Sequence, residues 1–168
     1  CASASIPYLR DFDGSNWPPL CWNIAGQTAM ITQGVNDYIE ASFWNYNNAQ
    51  AITSTEPISI SSDARVKFRW AHLYNANYPF DQMILRMRDA NGTQWDTLAN
   101  FIGQTFTSPN AQTTTPPADG DFVQETFNLN PAYTGQDVVF EFVFNSDFGL
   151  DVFVDDFIVE PLPACPEP

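Results

Sequence analysis

Residues 152–159, near the C-terminus, constrain the fold more than any other stretch of the sequence. They read Val-Phe-Val-Asp-Asp-Phe-Ile-Val. β-Branched and aromatic residues dominate, which predicts a strand covered on both faces. Asp155 and Asp156 interrupt this apolar run. Because successive strand residues point to opposite faces, we expect one carboxylate to point inward, where it needs hydrogen-bond donors or a cation.

The rest of the chain predicts an all-β protein. Helical periodicity is almost absent, and short alternating or apolar runs are separated by Gly, Pro, Asn and Asp clusters. The predicted strands are residues 8–12, 22–24, 29–31, 38–44, 51–55 and 58–60 leading into 64–73, 82–88, 94–98, 122–129, 138–145 and 152–159. A hairpin turn is expected at 89–92 and a long surface loop at 105–121. Roughly ten strands of this kind predict two packed antiparallel sheets, a β-sandwich.

Length and composition fit one domain over residues 1–162. The chain has 168 residues, and 14 Phe, 6 Tyr and 5 Trp supply a sizeable core. The Pro-rich segment 163–168 is typical of a linker to a following segment. We see no signal peptide and no apolar run long enough to cross a bilayer. The opening on Cys1 suggests a fragment excised from a longer polypeptide.

The charge balance narrows the choice of partners. Asp and Glu total 20 against 6 Lys and Arg, a formal net charge of −14. Nucleic acids and anionic membrane surfaces repel such a chain, so neither nucleic-acid binding nor membrane insertion is expected. Acidity favours solubility and cation binding, and solubility alone accounts for much of it.

Three cysteines indicate an oxidising compartment. Cys1, Cys21 and Cys165 form no CxxC pair and no cluster with histidine, so a zinc site is not expected. If the two ends of the chain meet, a Cys1–Cys165 disulfide would join them, and Cys1–Cys21 is the competing pairing. Either disulfide indicates an extracellular, secreted or cell-surface protein.

Two acidic pairs at opposite ends of the chain predict a metal site. Asp11 and Asp13 lie near the start, and Asp155 and Asp156 lie near the end. In a sandwich whose terminal strands are neighbours, these carboxylates could surround one hard cation such as calcium. The alternative is that they accept hydrogen bonds from backbone amides or cap turns. Asp81, Asp147 and Asp151 are lesser candidates.

The order of motifs resembles that of the MAM domain and its bacterial relatives, the choice-of-anchor-J and cleaved-adhesin modules. The residues that carry the resemblance are the acidic-Phe-acidic-Gly run at 11–14, Cys21-Trp22, the strand at 64–71, Asp81 to Arg88 with Asn91-Gly92 and Trp95, and Val154-Asp-Asp-Phe-Ile158. The resemblance implies a jelly-roll sandwich of the concanavalin or galactose-binding type. It also implies adhesion or an accessory role, a structural calcium or sodium ion, and no catalysis. The four-cysteine pattern of MAM domains is missing, which favours the bacterial relatives.

Aromatic residues next to asparagines indicate a carbohydrate site. Trp44, Tyr46, Tyr74 and Tyr78 lie in Asn-rich segments. Rings stack on the C–H faces of sugars while amides bond to hydroxyls. The alternative is that these rings fill the edges and turns of the sandwich.

Catalytic signals are weak. His72 is the only histidine, and no nucleophile motif accompanies it. The sequence therefore predicts a non-catalytic adhesion or accessory domain of a larger secreted or cell-surface bacterial protein, with structural calcium. Its expected partners are a cell-surface protein or glycan and neighbouring domains of the same polypeptide. A carbohydrate-binding module attached to a secreted enzyme is the alternative, and a small paired-carboxylate hydrolase is a third.

Overall fold

The fold is a two-sheet β-sandwich. A computed structural model describes residues 1–14, 16–26, 28–33, 36–44, 50–108 and 117–163, and for residues 29–33 and 36 it describes the backbone alone. The strands in this part of the chain are β1 (Ala4–Ser5), β2 (Tyr8–Arg10), β3 (Asn23–Ala25), β4 (Thr28–Gln33), β5 (Asn36–Ala41), β6 (Gln50–Ser54), β7 (Ile58–Ser59), β8 (Ala64–Ala71), β9 (Gln82–Asp89), β10 (Asp96–Ile102), β11 (Val123–Asn128), β12 (Asp137–Asn145) and β13 (Val152–Pro161). Short 3₁₀ turns cover Gly103–Thr105, Asp119–Asp121 and Pro131–Tyr133.

The two sheets are built around β12 and β13. Sheet A runs β1-β7-β12-β6-β3, and β9 and β10 continue it on the other side of β12. Sheet B runs β11-β8-β13-β5-β4, and β2 also pairs with β13. Pairing is antiparallel except between β1 and β7. The predicted all-β antiparallel sandwich is confirmed. No helix among the described residues is long and apolar enough to span a membrane.

Aromatic side chains fill the space between the sheets. Every second residue of β12 and β8 points inward, and the inward set is apolar in both strands. Phe142 of sheet A is fully buried and meets two rings of sheet B, with centroid distances of 5.3 Å to Phe68 and 5.7 Å to Phe157. This core supports the loops at both ends of the sandwich.

The segment at 152–159 is a central strand, as predicted, but its two aspartates do not divide between the faces. The pairing of β13 with β8 shifts register between Asp155 and Ile158, and Asp156 has φ 50°. This bulge inserts one residue, so Val154 and Phe157 both reach the core while both carboxylates meet Arg69 on the outer face. One carboxylate, Asp155, is fully buried and bound by donors, as expected, but it lies on the outer face of sheet B and not in the core between the sheets.

The N-terminal segment joins the two sheets. β1 pairs with β7 in sheet A, whereas β2 pairs with β13 in sheet B. Cys1 therefore lies beside sheet A, where it forms a disulfide with Cys21. The predicted Cys1–Cys165 disulfide is wrong, because β13 carries the other end of the chain along sheet B. Cys165 and residues 164–168 of the predicted linker lie outside the described residues.

The turn at 89–92 is present, but it is not a tight two-residue hairpin. The Gly92 amide donates to the Asp89 carbonyl at 3.0 Å, and β10 begins only at Asp96. Gly92 does not adopt a positive φ. The wider loop instead wraps its carbonyls around the guanidinium of Arg88. Within the predicted loop 105–121, residues 109–116 lie outside the described part.

Candidate functional site

Four aromatic side chains gather at one end of the sandwich, and we call this surface the aromatic end. Trp44 follows β5, Tyr78 and Phe80 precede β9, and Phe148 lies between β12 and β13. The Trp44 and Phe148 rings stack with centroids 5.5 Å apart, and Tyr78 meets Phe148 edge-on at 5.6 Å. Trp44 is 47% exposed and Phe80 is 68% exposed. Flat apolar surface of this kind is available to a ligand.

A buried carboxylate fixes the turn that carries Phe148. Asp81 accepts hydrogen bonds through Oδ1 from the amides of Asp147 at 2.7 Å and Gly149 at 3.3 Å. Burial raises the pKa of Asp81 to about 6, although these amide bonds oppose the rise. Residue 149 is glycine because a Cβ there would lie 1.6 Å from Oδ2 of Asp81.

A hydroxyl ties this turn to the segment that carries Trp44. Ser146 Oγ donates to the carbonyl of Phe43 and accepts from the amide of Phe148, both at 3.0 Å. Phe148 itself has φ 74°, a left-handed conformation that is unusual for a bulky residue. The stack of Trp44 on Phe148 is therefore supported by buried polar contacts beneath it.

The aromatic end carries negative charge. The Trp44 amide donates to Oδ1 of Asp151 at 3.2 Å, and the Phe80 amide donates to Oδ2 of Asp147 at 3.3 Å. Burial raises the pKa of Glu40 to about 7, and the charge of Asp151 and a hydrogen bond to it add to the rise. In the described ranges, every ion pair is made by a cation of β2, β8 or β9, away from these loops.

The predicted sugar-binding residues divide into two groups. Trp44 and Tyr78 meet through Phe148, whereas Tyr74 makes no ring contact with them in the part of the chain described. Tyr46 lies outside the described residues. Phe148 and Phe80 were not predicted as site residues from the sequence. An aromatic residue inside the turn sequence Ser-Asp-Phe-Gly is the signal that marks Phe148.

The acidic pair near the C-terminus is bound by an arginine. Arg69 contacts Oδ2 of Asp155 through Nη2 and Oδ2 of Asp156 through Nε, both at 2.7 Å, and its Nη1 lies 2.5 Å from Asp119 Oδ1. Oδ1 of Asp155 accepts from the amide of Asp156 at 2.8 Å. Asp155 is fully buried, so this pairing offsets the cost of taking its charge out of water.

The N-terminal acidic pair lies near the C-terminal one. Burial raises the pKa of Asp156; the positive charge of Arg69 opposes this, while the charges of Asp11, Asp119 and Asp13 add to the rise. Oδ1 of Asp13 accepts from the amide of Asp37 at 2.8 Å. Within the described residues, no three acidic, histidine or cysteine side chains form a group that could hold a metal as they stand.

Asp37 joins this acidic region and was not predicted. Its Oδ2 accepts from the amide of Gly14 at 2.8 Å. Its Oδ1 is buried and has no hydrogen-bond partner among the residues described, and the residue is only 7% exposed. A buried carboxylate oxygen without a donor is a coordination position that suits a hard cation.

His72 is a packing residue. It is buried and stacks on Phe106 with ring centroids 4.1 Å apart. Burial lowers the pKa of His72 to about 4, so its imidazole is neutral near pH 7. Its Nδ1 lies 3.3 Å from the carbonyl of Asp151, directly beneath the aromatic end.

The two-sheet sandwich is a jelly-roll fold, and solved bacterial adhesin domains and carbohydrate-binding modules share it. No protein-family model and no curated protein sequence matches the chain. Among solved structures, it is similar to the K1 cleaved adhesin domain of Lys-gingipain from Porphyromonas gingivalis, with 13% identity, TM-score 0.60, and coverage of 93% of this chain and 98% of that one. A CBM6 module from Clostridium stercorarium in complex with cellobiose has 13% identity and TM-score 0.53, covering 96% and 98%. The CBM22-1 xylan-binding domain from Paenibacillus barcinonensis has 14% identity and TM-score 0.56, covering 98% and 100%.

These likenesses concern the fold. The predicted jelly roll of cleaved-adhesin type is confirmed, because the matches span nearly the whole of each chain. The resemblance to MAM domains stays a prediction. At 13–14% identity, no ligand and no site residue is carried over from these structures.

Proposed function

We propose that this chain is a non-catalytic extracellular binding domain that recognises its ligand through the aromatic end. The observation that carries the proposal is the exposed Trp44 ring, stacked on Phe148 and supported from below by buried polar contacts. Recognition by loops on a rigid sandwich needs such a preformed surface. The Cys1–Cys21 disulfide supports an oxidising, extracellular location.

The ligand we propose is a neutral glycan. Exposed flat rings suit the C–H faces of sugars, and nearby Asp147 and Asp151 can accept hydrogen bonds from hydroxyls. These carboxylates are not balanced by a cation in the described loops, so an acidic glycan would be repelled. Fold neighbours that bind cellobiose or xylan support this ligand class. A cell-surface protein recognised by the same surface is the adhesin alternative.

The test is binding to soluble neutral polysaccharides, β-glucan and xylan, measured by affinity electrophoresis and calorimetry. Trp44→Ala should weaken binding at least tenfold, because truncating an aromatic side chain that anchors a ligand costs roughly 2 kcal/mol or more. Leu9→Ala is the matched control, because Leu9 is 52% exposed on β2, away from these loops. Absence of glycan binding by the parent, or equal effects of the two substitutions, would contradict the proposal.

We also propose that calcium stabilises the acidic region at the joined ends of the chain. The unpartnered Oδ1 of Asp37 supports this, and Asp11, Asp13 and Asp156 are the neighbouring carboxylates that would complete the ligand set. Asp155 is left out because it is fully buried, with Oδ2 bound by Arg69 and Oδ1 by the amide of Asp156. Asp156 also contacts Arg69 through Oδ2, but its side chain is 35% exposed and remains accessible to a cation. Bound calcium would neutralise mutual repulsion and hold the N-terminal segment on sheet B; sodium is the weaker alternative.

Thermal melting with calcium, with magnesium and with EGTA tests the metal. Calcium should raise the melting temperature by several degrees, since a ligand at 100 times its Kd adds about 2.7 kcal/mol. Asp37→Asn should abolish this shift, whereas Asp63→Asn, at an exposed acidic residue between β7 and β8, should keep it. An identical calcium response in the parent and in Asp37→Asn would remove Asp37 from the site.

A further inference from the structure

A cavity lies on the outer face of sheet A, away from the aromatic end. Its volume is about 430 Å³, within the range of small-molecule sites. The Cys1–Cys21 disulfide closes one side of it. Other lining residues are Asn23 of β3, Ser54 of β6, Arg88 of β9, Trp95 and Glu141 of β12.

The two carboxylates in this cavity are each neutralised by an arginine. Glu56 binds Arg10 at 2.9 Å and accepts from the Tyr8 hydroxyl at 2.8 Å. Glu141 accepts from Nε of Arg86 at 2.7 Å and from the Ser54 hydroxyl at 3.0 Å. Neither group therefore leaves a net negative charge on the cavity wall.

Arg88 is a cation without a carboxylate partner in the described part of the chain. The other five Lys and Arg side chains each form an ion pair with Asp or Glu. The chain as a whole has a net charge of −14, but Arg88 lines this cavity without a paired carboxylate. The cavity therefore carries a local positive charge. Distant surface carboxylates affect it little, because salt at about 0.15 M screens charges beyond roughly 8 Å.

The guanidinium of Arg88 is held in place before any ligand arrives. Its Nη1 lies within hydrogen-bond distance of three carbonyls, those of Asp89 at 2.9 Å, Ala90 at 2.8 Å and Gly92 at 2.9 Å, which share its two N–H groups. Its central carbon lies 5.1 Å from the centroid of the Trp95 ring. Only Nη1 takes part in these contacts with the loop at 89–92. The opposite edge of the guanidinium, formed by Nε and Nη2, makes no hydrogen bond to the described residues. This edge has the forked geometry that matches a carboxylate.

We propose that this cavity binds a uronic acid residue of an acidic polysaccharide. The carboxylate of the sugar accepts from the Nε and Nη2 edge of Arg88. Its hydroxyls bond to the polar wall formed by Asn23, Ser54 and Glu141. The cavity wall sets the Trp95 ring beside amide, hydroxyl and carboxylate groups, and this combination suits the C–H faces and the hydroxyls of a sugar. This site has the opposite charge preference to the aromatic end.

The test is NMR titration of the folded chain with glucuronic acid, galacturonic acid, glucose and acetate. A uronic acid should bind at least tenfold more tightly than glucose and more tightly than acetate, and added salt should weaken it. Arg88→Gln should lower the affinity at least tenfold. Asn23→Asp adds a negative charge to an exposed position without touching the loop of Arg88, so it should lower affinity severalfold in an intact fold.

Trp44→Ala separates this proposal from the previous one, because it should leave uronic acid binding unchanged. Equal affinities for a uronic acid and glucose, or full affinity in Asn23→Asp, would overturn the proposal. Acetate binding as tightly as the uronic acids would overturn the assignment to a sugar. Loss of uronic acid binding in Trp44→Ala would move the ligand to the aromatic end and overturn the cavity as its site.

Discussion

Gly149→Ala is the substitution that most directly tests how the aromatic end is built. An added Cβ would lie 1.6 Å from Oδ2 and 2.7 Å from Cγ of Asp81, distances that no pair of non-bonded atoms tolerates. The backbone of Gly149 is not in the left-handed region, so the expected effect is steric. The Asp81 carboxylate must move, and it has no solvent to move into because it is only 2% exposed.

The cost follows from what Asp81 would lose. Its carboxylate accepts from the amides of Asp147 and Gly149, and hydrogen bonds to a charged group are worth about 1.5–3 kcal/mol each. Two such bonds sum to about 3–6 kcal/mol, and partial relaxation of the turn reduces the expected loss to roughly 2–5 kcal/mol. For a domain of ordinary stability this is a large fraction of the free energy of unfolding.

Urea unfolding followed by tryptophan fluorescence measures the loss. Gly120→Ala is the matched control, because a Cβ there meets nothing within 4 Å and should change stability by less than about 0.5 kcal/mol. In an Asp81→Ala background the clash disappears, so the same Gly149 substitution should cost far less than in the parent. A Gly149→Ala chain as stable as the parent, or an unchanged cost in the Asp81→Ala background, would refute the account.

Three further outcomes are expected. The pKa values of Asp81 and Glu40 in the folded protein, about 6 and 7, are higher than those of the same residues in the unfolded chain. The two groups therefore stabilise the fold fully when the pH is below their unfolded pKa values, and this stabilisation is lost as the pH rises through their folded pKa values. His72 acts in the opposite direction, because burial lowers its pKa to about 4. In EGTA, the rise in melting temperature from pH 8 to pH 5 should therefore be larger in His72→Gln than in the parent, and a fall in that variant would contradict the shifts of Asp81 and Glu40. Phe142→Ala should cost about 3–5 kcal/mol in urea unfolding, and a loss under 1 kcal/mol would place Phe142 outside the tight core. Cys21→Ser, which opens a loop with a sequence separation of 20, should cost about 3 kcal/mol, and an unchanged melting curve would exclude a stabilising disulfide with Cys1.

The sequence predicted the sheets well because alternation is a local signal. In β8 the inward residues Val66, Phe68 and Trp70 alternate with charged residues, and the pattern alone indicates a strand with one buried face. β1 was missed because Ala4 and Ser5 have no such pattern. They form a strand only by pairing with Ile58 and Ser59, far away in the sequence.

The candidate site was predicted in part for the same reason. Trp44 and Tyr78 lie in segments whose composition indicates an exposed aromatic surface, but the ring that joins them was missed. The position of Phe148 depends on Asp81 and Ser146 acting across three loops, and no local pattern predicts such a contact. In the same way, the partner of Asp155 and Asp156 could not be found from the sequence, because a bulge in β13 turns both toward Arg69.

The Cys1–Cys21 disulfide has a mechanical consequence when the domain is pulled at its two ends. β2 and β13 are antiparallel, with Tyr8 opposite Val159, so pulling at the two ends of the domain would open their hydrogen bonds one at a time from that end. Force applied at Cys1 passes through the disulfide directly to Cys21 instead. Residues 2–20, which include β1 and β2, then carry no load while the chain is stretched. The segment that joins the two sheets is therefore not unfolded by the applied force, and β3 is the first strand to bear it.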